Sequence, residues 1–331
     1  MSTDEVPWDE LDRCPDRMVY QTRPWLEFIA ETQNARPVIL EVQQNNAAIG
    51  WFTGLVFRKL GVPIMGSPFP GWTTMYLGFT LLEQVPRSEL ISPLIEYVFE
   101  EMNCWHLEMM DRAVTEDDLE GLDVDVYRQE TFEVDLTLPE DELYQNLSSK
   151  SCRYSIRKSK REGVTIEIAE DDQFARDYYD QLEDVFAKQD LVPTYPIERV
   201  TTLIDKLLPT GNLLLLRARG PDGTCIATGI FPGYNRLMQF WGGASWREYQ
   251  NLCPNEPIVW YAMRYWKERG IEVFDMGGGS EYKRKYGGRR IYVPWIRVSR
   301  FGALEKGRNL ARKMHSKAQK LKGRLRKLKG D

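Results

Sequence analysis

Apolar residues in the second half of the chain follow two patterns that indicate different secondary structures. Short, nearly continuous apolar runs predict buried strands, and apolar residues three or four positions apart predict helices. Gly, Pro and Asn between these segments mark the turns. The predicted elements are, in order, a strand at 164–169, helices at 171–189 and 197–208, strands at 212–219, 225–232 and 236–243, a helix at 256–269, and strands at 271–276 and 291–300.

The first half repeats a shorter version of this order without repeating the sequence. Its predicted elements are a helix at 25–33, a hairpin of strands at 38–44 and 49–57, a long helix at 87–103, a strand at 105–110, a short helix at 115–121 and an extended segment at 124–136. A proline and several acidic residues interrupt the pattern at 137–141. The chain is therefore predicted to contain two units of similar architecture, which its length of 331 residues accommodates.

A glycine-rich turn and a cation cluster follow the predicted strand at 271–276. The segment from Phe274 reads FDMGGGSEYKRKYGG, with three consecutive glycines at Gly277, Gly278 and Gly279 and a basic run that begins at Lys283. Glycines free the backbone to turn sharply and to direct N–H groups at a ligand. This arrangement favours a site for an anionic or phosphorylated ligand, and the alternative is a solvated basic turn.

The same segment resembles the D-x-x-G … F-K-x-x-F-G signature of Fem-type peptidyltransferases and related GNAT-fold acyltransferases. The matching residues are Asp275, Gly278 and the stretch from Tyr282 to Gly287. Tyrosines stand at both phenylalanine positions, Tyr282 and Tyr286. The order of predicted elements is also that of the GNAT fold, and it fits no doubly wound sheet.

A second basic segment strengthens the resemblance. Residues 142–163 are predicted to form one helix that carries Arg153 and Arg157 on a shared face. The segment is similar to the family element R-x-x-I/L-R-K-A-x-K-x-G, with Ser159 where alanine is usual. The resemblance implies that Arg153 or Arg157 binds a phosphate or carboxylate of the acceptor, which suits guanidinium geometry. A solvated linker helix is the alternative.

The resemblance implies a fold class, a domain division and a function. The fold is expected to be α+β with mixed α/β sheets, in tandem GNAT-like domains at 1–136 and 137–302 and a basic helix at 303–331. The expected activity is transfer of an acyl or aminoacyl group to an amine of a cell-envelope sugar, peptide or lipid-linked glycan. The alternatives are a tRNA-dependent aminoacyltransferase of the peptidoglycan type and a non-catalytic, membrane-attached binding protein.

Catalytic roles are expected from the chemistry of acyl transfer, which passes through a tetrahedral oxyanion. Lys283 is the first candidate to stabilise the negative charge. Tyr286 or Tyr249 is expected to protonate the leaving group, and Asp275 or Glu281 to accept the amine proton. Histidine chemistry and a histidine-built metal site are not expected, because the two histidines, at positions 106 and 315, are far apart in sequence.

The predicted donor-binding loop departs from the usual GNAT pattern. GNAT enzymes hold the pyrophosphate of acyl-CoA on a Q/R-x-x-G-x-G/A loop that opens a helix. Here the loop runs from Gln250 to Asn255, and Cys253 and Asn255 replace small residues, while Pro254 removes an N–H. Gln250 and Asn255 remain donor-binding candidates, and both acyl-CoA and aminoacyl-tRNA stay open as donors.

Aromatic residues supply further binding candidates. A long Gly/Pro loop at 65–78 carries Trp72 and Tyr76, which are predicted either to be exposed and contact substrate or to fill the seam between the units. Trp241 and Trp246 flank a glycine pair and are predicted to be core or cleft-wall residues, with ligand contact as the alternative.

Composition and charge predict a cytoplasmic protein that lies peripherally on the inner face of the cytoplasmic membrane. Five cysteines without a C-x-x-C pair indicate reduced thiols, and no apolar run reaches the ~20 residues of a membrane span. Residues 305–331 hold eleven Lys or Arg and two acids, a net charge of +9, against −14 for the rest. An apolar stripe through residues 305–330 predicts an amphipathic helix on an anionic membrane. Binding to tRNA and docking on the acidic body are alternatives.

Overall fold

The computed structural model describes residues 5–59, 61–188 and 190–301. Within this part of the chain, contacts group the residues into two compact units. Unit 1 holds the described residues up to Thr131, together with Tyr234–Arg236 and the residues from Arg290 onward. Unit 2 holds Phe132–Gly233 and Leu237–Arg289.

Unit 1 begins with helices and continues as a sheet that one long helix accompanies. Its elements are α1 (Trp8–Leu11), α2 (Arg23–Gln33), β1 (Arg36–Gln44), β2 (Ala47–Lys59), β3 (Val62–Ser67), β4 (Gly78–Leu81), α3 (Arg87–Glu100), β5 (His106–Met109) and the first part of β6 (Asp125–Asp135). β1 is antiparallel to β2, and β2 pairs in turn with β4 and β3. β3 is parallel to β5.

Unit 2 contains the remaining elements except the last strand. They are α4 (Glu140–Asn146), α5 (Tyr154–Arg161), β7 (Thr165–Ile168), α6 (Phe174–Ala187), α7 (Ile197–Leu207), β8 (Leu213–Arg219), β9 (Cys225–Tyr234), β10 (Leu237–Gln239), β11 (Gly242–Ser245), α8 (Asn255–Lys267) and β12 (Val273–Asp275). β7, β8, β9 and β11 form antiparallel pairs in succession. β12 is parallel to β10 and antiparallel to the end of β6.

Most predicted elements of both halves are present within a few residues of their predicted bounds. The predicted strand at 236–243 is two strands, β10 and β11, and the predicted helix at 115–121 is a single 3₁₀ turn at Asp117–Leu119. The sequence did not predict α1, β3 or β4, because β3 and β4 are short and lie beside a loop rich in Gly and Pro. The predicted single helix at 142–163 is wrong. Its residues form α4, a break at Leu147 and Ser148, a π-helical turn at Ser149–Arg153, and α5.

The last strand, β13 (Arg289–Ser299), belongs to unit 1 rather than to the second predicted domain. It pairs antiparallel with β5, with Ile296 opposite Met109. Ile296 is buried in the apolar core of unit 1 together with Leu107 and Met109. The predicted domain division did not group this strand with unit 1, because its hydrogen-bonding partner lies almost two hundred residues earlier in the chain.

The core of unit 2 lies between its sheet and α8. Ile258, Ala262 and Trp266 recur along α8 at helical spacing, and they pack with Phe231 and Phe274 of the sheet. Burial of such side chains contributes roughly 1.5–3 kcal/mol each. The opposite face of the sheet contacts α6, where Gln181 of α6 accepts a hydrogen bond from Thr228 of β9 at 2.8 Å.

Candidate active site

The candidate site lies where two neighbouring strands of unit 2 separate. β10 and β11 belong to one extended stretch, but β10 lies between β9 and β12 in the sheet, whereas β11 pairs with β9. The pairing with β12 ends between two residues. The N–H of Phe240 donates to Asp275 O at 3.0 Å, and the N–H of Trp241 donates to Ile230 O at 3.1 Å. Beyond Phe240 the stretch leaves β12, and the glycine turn begins at this opening.

The glycine turn depends on a backbone conformation that favours glycine. Gly277 and Gly278 have φ values of +68° and +96°. A Cβ on Gly277 would also lie 3.1 Å from Phe240 O. The turn is fixed by Asp275, whose Oδ1 accepts the N–H of Gly277 at 2.7 Å. Asp275 is fully buried and Gly279 is half-buried, so the turn connects the end of the strand to the surface.

Lys283 lies against this turn. It belongs to a 3₁₀ turn at Glu281–Tyr286, and its Nζ donates to Met276 O at 2.7 Å and to Gly277 O. An ammonium group has three donors, so one donor is left without a partner among the described residues. Burial lowers the pKa of Lys283, and the carboxylate of Asp275 opposes this shift. The amine is thus a half-buried donor next to a buried carboxylate.

Tyr286 and Lys285 attach the 3₁₀ turn to the core of unit 2. Burial raises the pKa of Tyr286 well above its usual range, and its hydroxyl lies 3.3 Å from that of Tyr282. The Nζ of Lys285 forms an ion pair with Glu256 and lies 3.7 Å from the ring centroid of Tyr282. Tyr286 is therefore a core residue, and its predicted role as the acid of the leaving group remains a prediction.

The other two catalytic candidates lie at different depths. Glu281 is exposed, and its carboxylate lies 3.9 Å from Arg284. Tyr249 lies in a 3₁₀ turn at Arg247–Leu252 and packs half-buried against the core of unit 2. Among the candidates for the proton acceptor, Asp275 is the one that contacts the glycine turn directly.

The two basic segments predicted from the sequence meet through the backbone. The N–H of Ser148, at the break before the π-helical turn, donates to Lys285 O at 2.8 Å. Arg153 donates to Gln145, and its Nε is buried without a hydrogen-bond partner. Arg157 is exposed on α5 and has no ion-pair partner among the described residues. The structure thus places Arg157 on the exposed side of the helix that follows this contact.

The loop before α8 provides few donors for a pyrophosphate. Two prolines, Pro254 and Pro257, lack an N–H, and Glu256 places a carboxylate in the first turn of the helix. Asn255 is the first helical residue, and its side chain donates to Ser245 Oγ at 3.3 Å. Gln250 is exposed. These residues do not fit a phosphate cradle at this helix end, although both stay donor-binding predictions.

Trp72 and Tyr76 lie in unit 1 and behave as packing residues. Tyr76 is completely buried, so the expectation of an exposed substrate-binding ring is wrong for this residue. Trp72 is half-buried, and its ring centroid lies 4.8 Å from that of Phe69 and 5.7 Å from that of Phe57. Trp72 therefore packs in an apolar cluster with Phe57 and Phe69. The Gly/Pro-rich sequence of the loop does not predict this cluster.

Three buried nitrogen atoms on the α6 side of unit 2 lack acceptors among the described residues. They are Gln239 Nε2, Trp241 Nε1 and Arg199 Nε. Gln239 lies opposite Asp275 in the parallel pair of β10 and β12. Of these three residues, only Trp241 is a ligand-binding candidate from the sequence, because it lies next to a glycine pair. No local sequence pattern identifies Gln239 or Arg199, because the residues around each of them belong to elements that are distant in sequence.

The described ranges contain neither a candidate metal-ion site nor a candidate membrane-spanning helix. No group of three or more His, Cys, Asp or Glu within these ranges is placed to hold a metal ion. None of the helices described has both the length and the apolar character that crossing a membrane requires. The basic segment predicted at 303–331 lies outside the described residues.

Comparison with known proteins identifies the fold. Residues 148–284 match the model of the acetyltransferase (GNAT) domain family. No curated protein matches the sequence. The crystal structure of FemX superposes with a TM-score of 0.70 at 13% identity, and the match covers 87% of this chain and 96% of FemX.

Two further solved structures share the fold. One is the C-terminal domain of a proposed lysylphosphatidylglycerol synthetase from Agrobacterium fabrum, with a TM-score of 0.53, 13% identity, and coverage of 89% of this chain and 93% of that domain. The other is a tandem GNAT protein from the clavulanic acid biosynthesis pathway, with a TM-score of 0.51, 9% identity, and coverage of 91% and 97%. The predicted fold class and the predicted resemblance are confirmed.

Proposed function

We propose that this protein, a mixed α/β chain of the tandem GNAT fold that FemX also has, transfers an acyl or aminoacyl group to an amine of a cell-envelope precursor. The family model supports an acyltransferase. The lipid in the name of the Agrobacterium protein and the likeness to FemX favour an acceptor in the envelope, either a peptide, a sugar or a lipid-linked glycan.

The observation that carries this proposal is that Lys283 and Asp275 contact the same glycine turn, where the chain beyond β10 leaves β12. Lys283 keeps one donor after its two bonds to the carbonyls of the turn. A donor held in a half-buried position stabilises a developing oxyanion more than a solvated one does. Asp275 offers a buried carboxylate beside the same turn.

In the proposed reaction the acceptor amine attacks the acyl carbon of an activated ester or thioester. The N–C bond forms first and moves the carbonyl electrons onto oxygen, and this oxyanion faces Lys283. The C–O or C–S bond breaks when the tetrahedral intermediate collapses. The amine proton passes to Asp275, directly or through water, and the leaving alkoxide or thiolate gains a proton. Most of the acceleration comes from holding the two substrates in position.

The loop before α8 favours a second candidate donor. Acyl-CoA is the general donor of GNAT domains, but Pro254 and Pro257 leave few N–H groups at this helix end, and the Glu256 carboxylate is paired with Lys285. An aminoacyl-tRNA would not need this cradle, since its acyl ester is held by contacts elsewhere. The donor is therefore tested with both classes.

The test measures transfer by the full chain. Acetyl-CoA, longer acyl-CoAs and aminoacyl-tRNA are offered as donors, with amino sugars and peptides as acceptors, and products are detected by mass spectrometry. Acylation of an amine by one of these donors supports the proposal. If no donor reacts and none raises the melting temperature, the proposed transferase activity is wrong.

Substitution of Lys283 tests its role. We expect Lys283→Met to lower kcat at least ~10²-fold, on the scale of losing one oxyanion donor, while KM changes little. Some stability is also lost, because the carbonyls of Met276 and Gly277 lose their donor. The matched control is Arg284→Met, because Arg284 is exposed on the same turn. Near-full turnover in a folded Lys283→Met variant would remove the catalytic role.

A further inference from the structure

Four residues on the α6 side of unit 2 form a cluster that the proposed chemistry does not use. It consists of Tyr178 on α6, Tyr195 in the connection to α7, Arg199 on α7, and Trp241 between β10 and β11. The hydroxyls of Tyr178 and Tyr195 lie 2.8 Å apart. The ring of Trp241 lies 5.7 Å from that of Tyr195 and 6.4 Å from that of Tyr178, between centroids.

Arg199 is the charged member of this cluster. Its guanidinium carbon lies 5.4 Å from the centroid of the Tyr195 ring. The side chain is half-buried, its Nε is fully buried without an acceptor, and no carboxylate within the described ranges pairs with it. Burial lowers the pKa of Arg199. A buried donor without an acceptor is costly, because buried polar groups normally find partners.

Trp241 provides a second unused donor in the same cluster. Its indole Nε1 is buried and has no acceptor among the described residues. The backbone next to Trp241 lies so close to Tyr178 that only glycine fits, because a Cβ on Gly242 would lie 2.4 Å from the hydroxyl oxygen of Tyr178. Glycine at this position therefore lets β11 approach α6 closely enough for Trp241 to reach both tyrosines.

The cluster adjoins the candidate active site through the chain. Trp241 follows Phe240, whose N–H binds Asp275 O and whose ring lies 5.8 Å from Lys283 Nζ. Side chains alternate along a strand, so Gln239 and Trp241 lie on the face opposite to Met238. Met238 belongs to the core beside α8, which leaves Gln239, Trp241 and the cluster on the α6 face.

We infer that Tyr178, Tyr195, Arg199 and Trp241 form a subsite for a carboxylate carried by the acceptor. This inference rests on the proposed function and narrows its acceptor to a molecule with both an amine and a carboxylate, as in an amino acid or a peptide. A planar, singly charged carboxylate matches the fork of one guanidinium. A phosphate monoester carries more charge than this single cation balances. Aromatic rings on the same face exclude water from the ion pair.

The test measures binding to the full chain without any donor, by isothermal titration calorimetry. The probe is trialanine with a free amino terminus and a free carboxylate. Its comparison ligands are trialanine amide and glucosamine 6-phosphate. We expect trialanine to bind the unmodified protein at least about tenfold more tightly than either comparison ligand, since only it offers a carboxylate to the guanidinium.

Substitutions assign the effect to Arg199. Arg199→Met should weaken trialanine binding at least about tenfold and remove the preference for the free acid, and Arg199→Lys should keep part of it. The matched control is Arg176→Met, because Arg176 is exposed on α6. Melting temperatures show whether each variant is folded, and Tyr195→Phe provides a milder change if Arg199→Met does not fold.

Two results would overturn the inference. One is equal affinity of the unmodified protein for trialanine and its amide, and the other is tighter binding of the sugar phosphate. The proposed function fails separately. If trialanine shows the expected preference but no donor ever acylates an amine, the carboxylate subsite stands and the transferase does not.

Discussion

Asp111 is a carboxylate whose surroundings decide its ionisation. It is buried in unit 1, where its two oxygens accept the N–H groups of Phe79 at 2.9 Å and Ala113 at 2.8 Å. The Nε of Arg87 lies 3.8 Å away. Burial raises the pKa of Asp111 to about 6, against the opposing effects of Arg87 and the two N–H groups. Gly78 is required beside it, since a Cβ there would lie 2.5 Å from Asp111.

Stability should therefore depend on pH through Asp111. The folded state binds the proton more tightly than the unfolded state, whose Asp pKa is near 3.9, so the folded state is favoured at low pH. As pH rises from about 4 to about 6, the free energy of unfolding should lose on the order of 3 kcal/mol from this group. Above pH ~6 the contribution is constant.

The measurement is urea unfolding of the full chain and of Asp111→Asn between pH 4 and pH 7. Asn is close in size to Asp but does not titrate, so the stability of the variant should not depend on pH through this position. The difference between the two proteins isolates Asp111 from other carboxylates. The expected result is a difference that shrinks as pH rises from 4 to 6. A difference independent of pH would contradict the assigned pKa.

At the scale of elements, α5 has one side that packs against the core of unit 2 and another that is exposed to solvent. Its apolar contacts are made by Ile156, which packs against the core of unit 2, and Ser159 is buried. Arg157 points away from these contacts, is exposed, and lacks an ion-pair partner among the described residues. An exposed side chain of this kind contributes little to the free energy of unfolding, and a ligand can reach it.

We expect Arg157→Ala to raise the KM for the acceptor while kcat stays nearly unchanged. The reason is that a remote charge contact is made equally in the ground state and the transition state. The melting temperature should change little, because an exposed residue without a partner contributes within roughly 0.5 kcal/mol. Steady-state kinetics with the acceptor varied measures the effect, and Lys160→Ala on the same helix is the control. A fall in kcat with unchanged KM would place Arg157 in the chemistry instead.

At the scale of the whole molecule, charge is divided between the acidic body and the basic segment that follows it. The predicted amphipathic helix at 303–331 lies outside the described residues, so its role remains the one predicted from sequence. Juxtamembrane basic residues contribute about 1 kcal/mol each near an anionic surface. Eleven of them, with an apolar stripe, predict attachment to an anionic membrane.

Vesicle flotation tests this attachment. The full chain and a chain ending at Gly302 are mixed with vesicles of phosphatidylglycerol and phosphatidylcholine, and with vesicles of phosphatidylcholine alone. We expect only the full chain to float, and only with the anionic lipid, with the effect weakening as salt rises. Identical behaviour of the two chains on anionic vesicles would remove the membrane prediction and leave RNA or the protein body as the target of the segment.

Much of the fold could be predicted from sequence because its signals are local. Helical spacing places Ile258, Ala262 and Trp266 on one face of α8, and short apolar runs between turn residues place the strands. The glycine turn and Lys283 were also found this way, since φ values above zero and a strand end are properties of neighbouring residues. Helix breaks are harder, and the π-helical turn at Ser149–Arg153 interrupted a helix that spacing predicted to be continuous.

By itself, then, the sequence determined the order of elements, the GNAT-type architecture, the glycine turn and the two basic segments, because each depends on residues close together in the chain. Tertiary structure alone decided that Tyr76 is buried, that Glu256 pairs with Lys285, and that Arg199 Nε and Trp241 Nε1 have no acceptor among the described residues. These properties depend on packing between elements that are distant in sequence. No periodic pattern records such contacts, since burial and pairing are fixed only when separate elements meet.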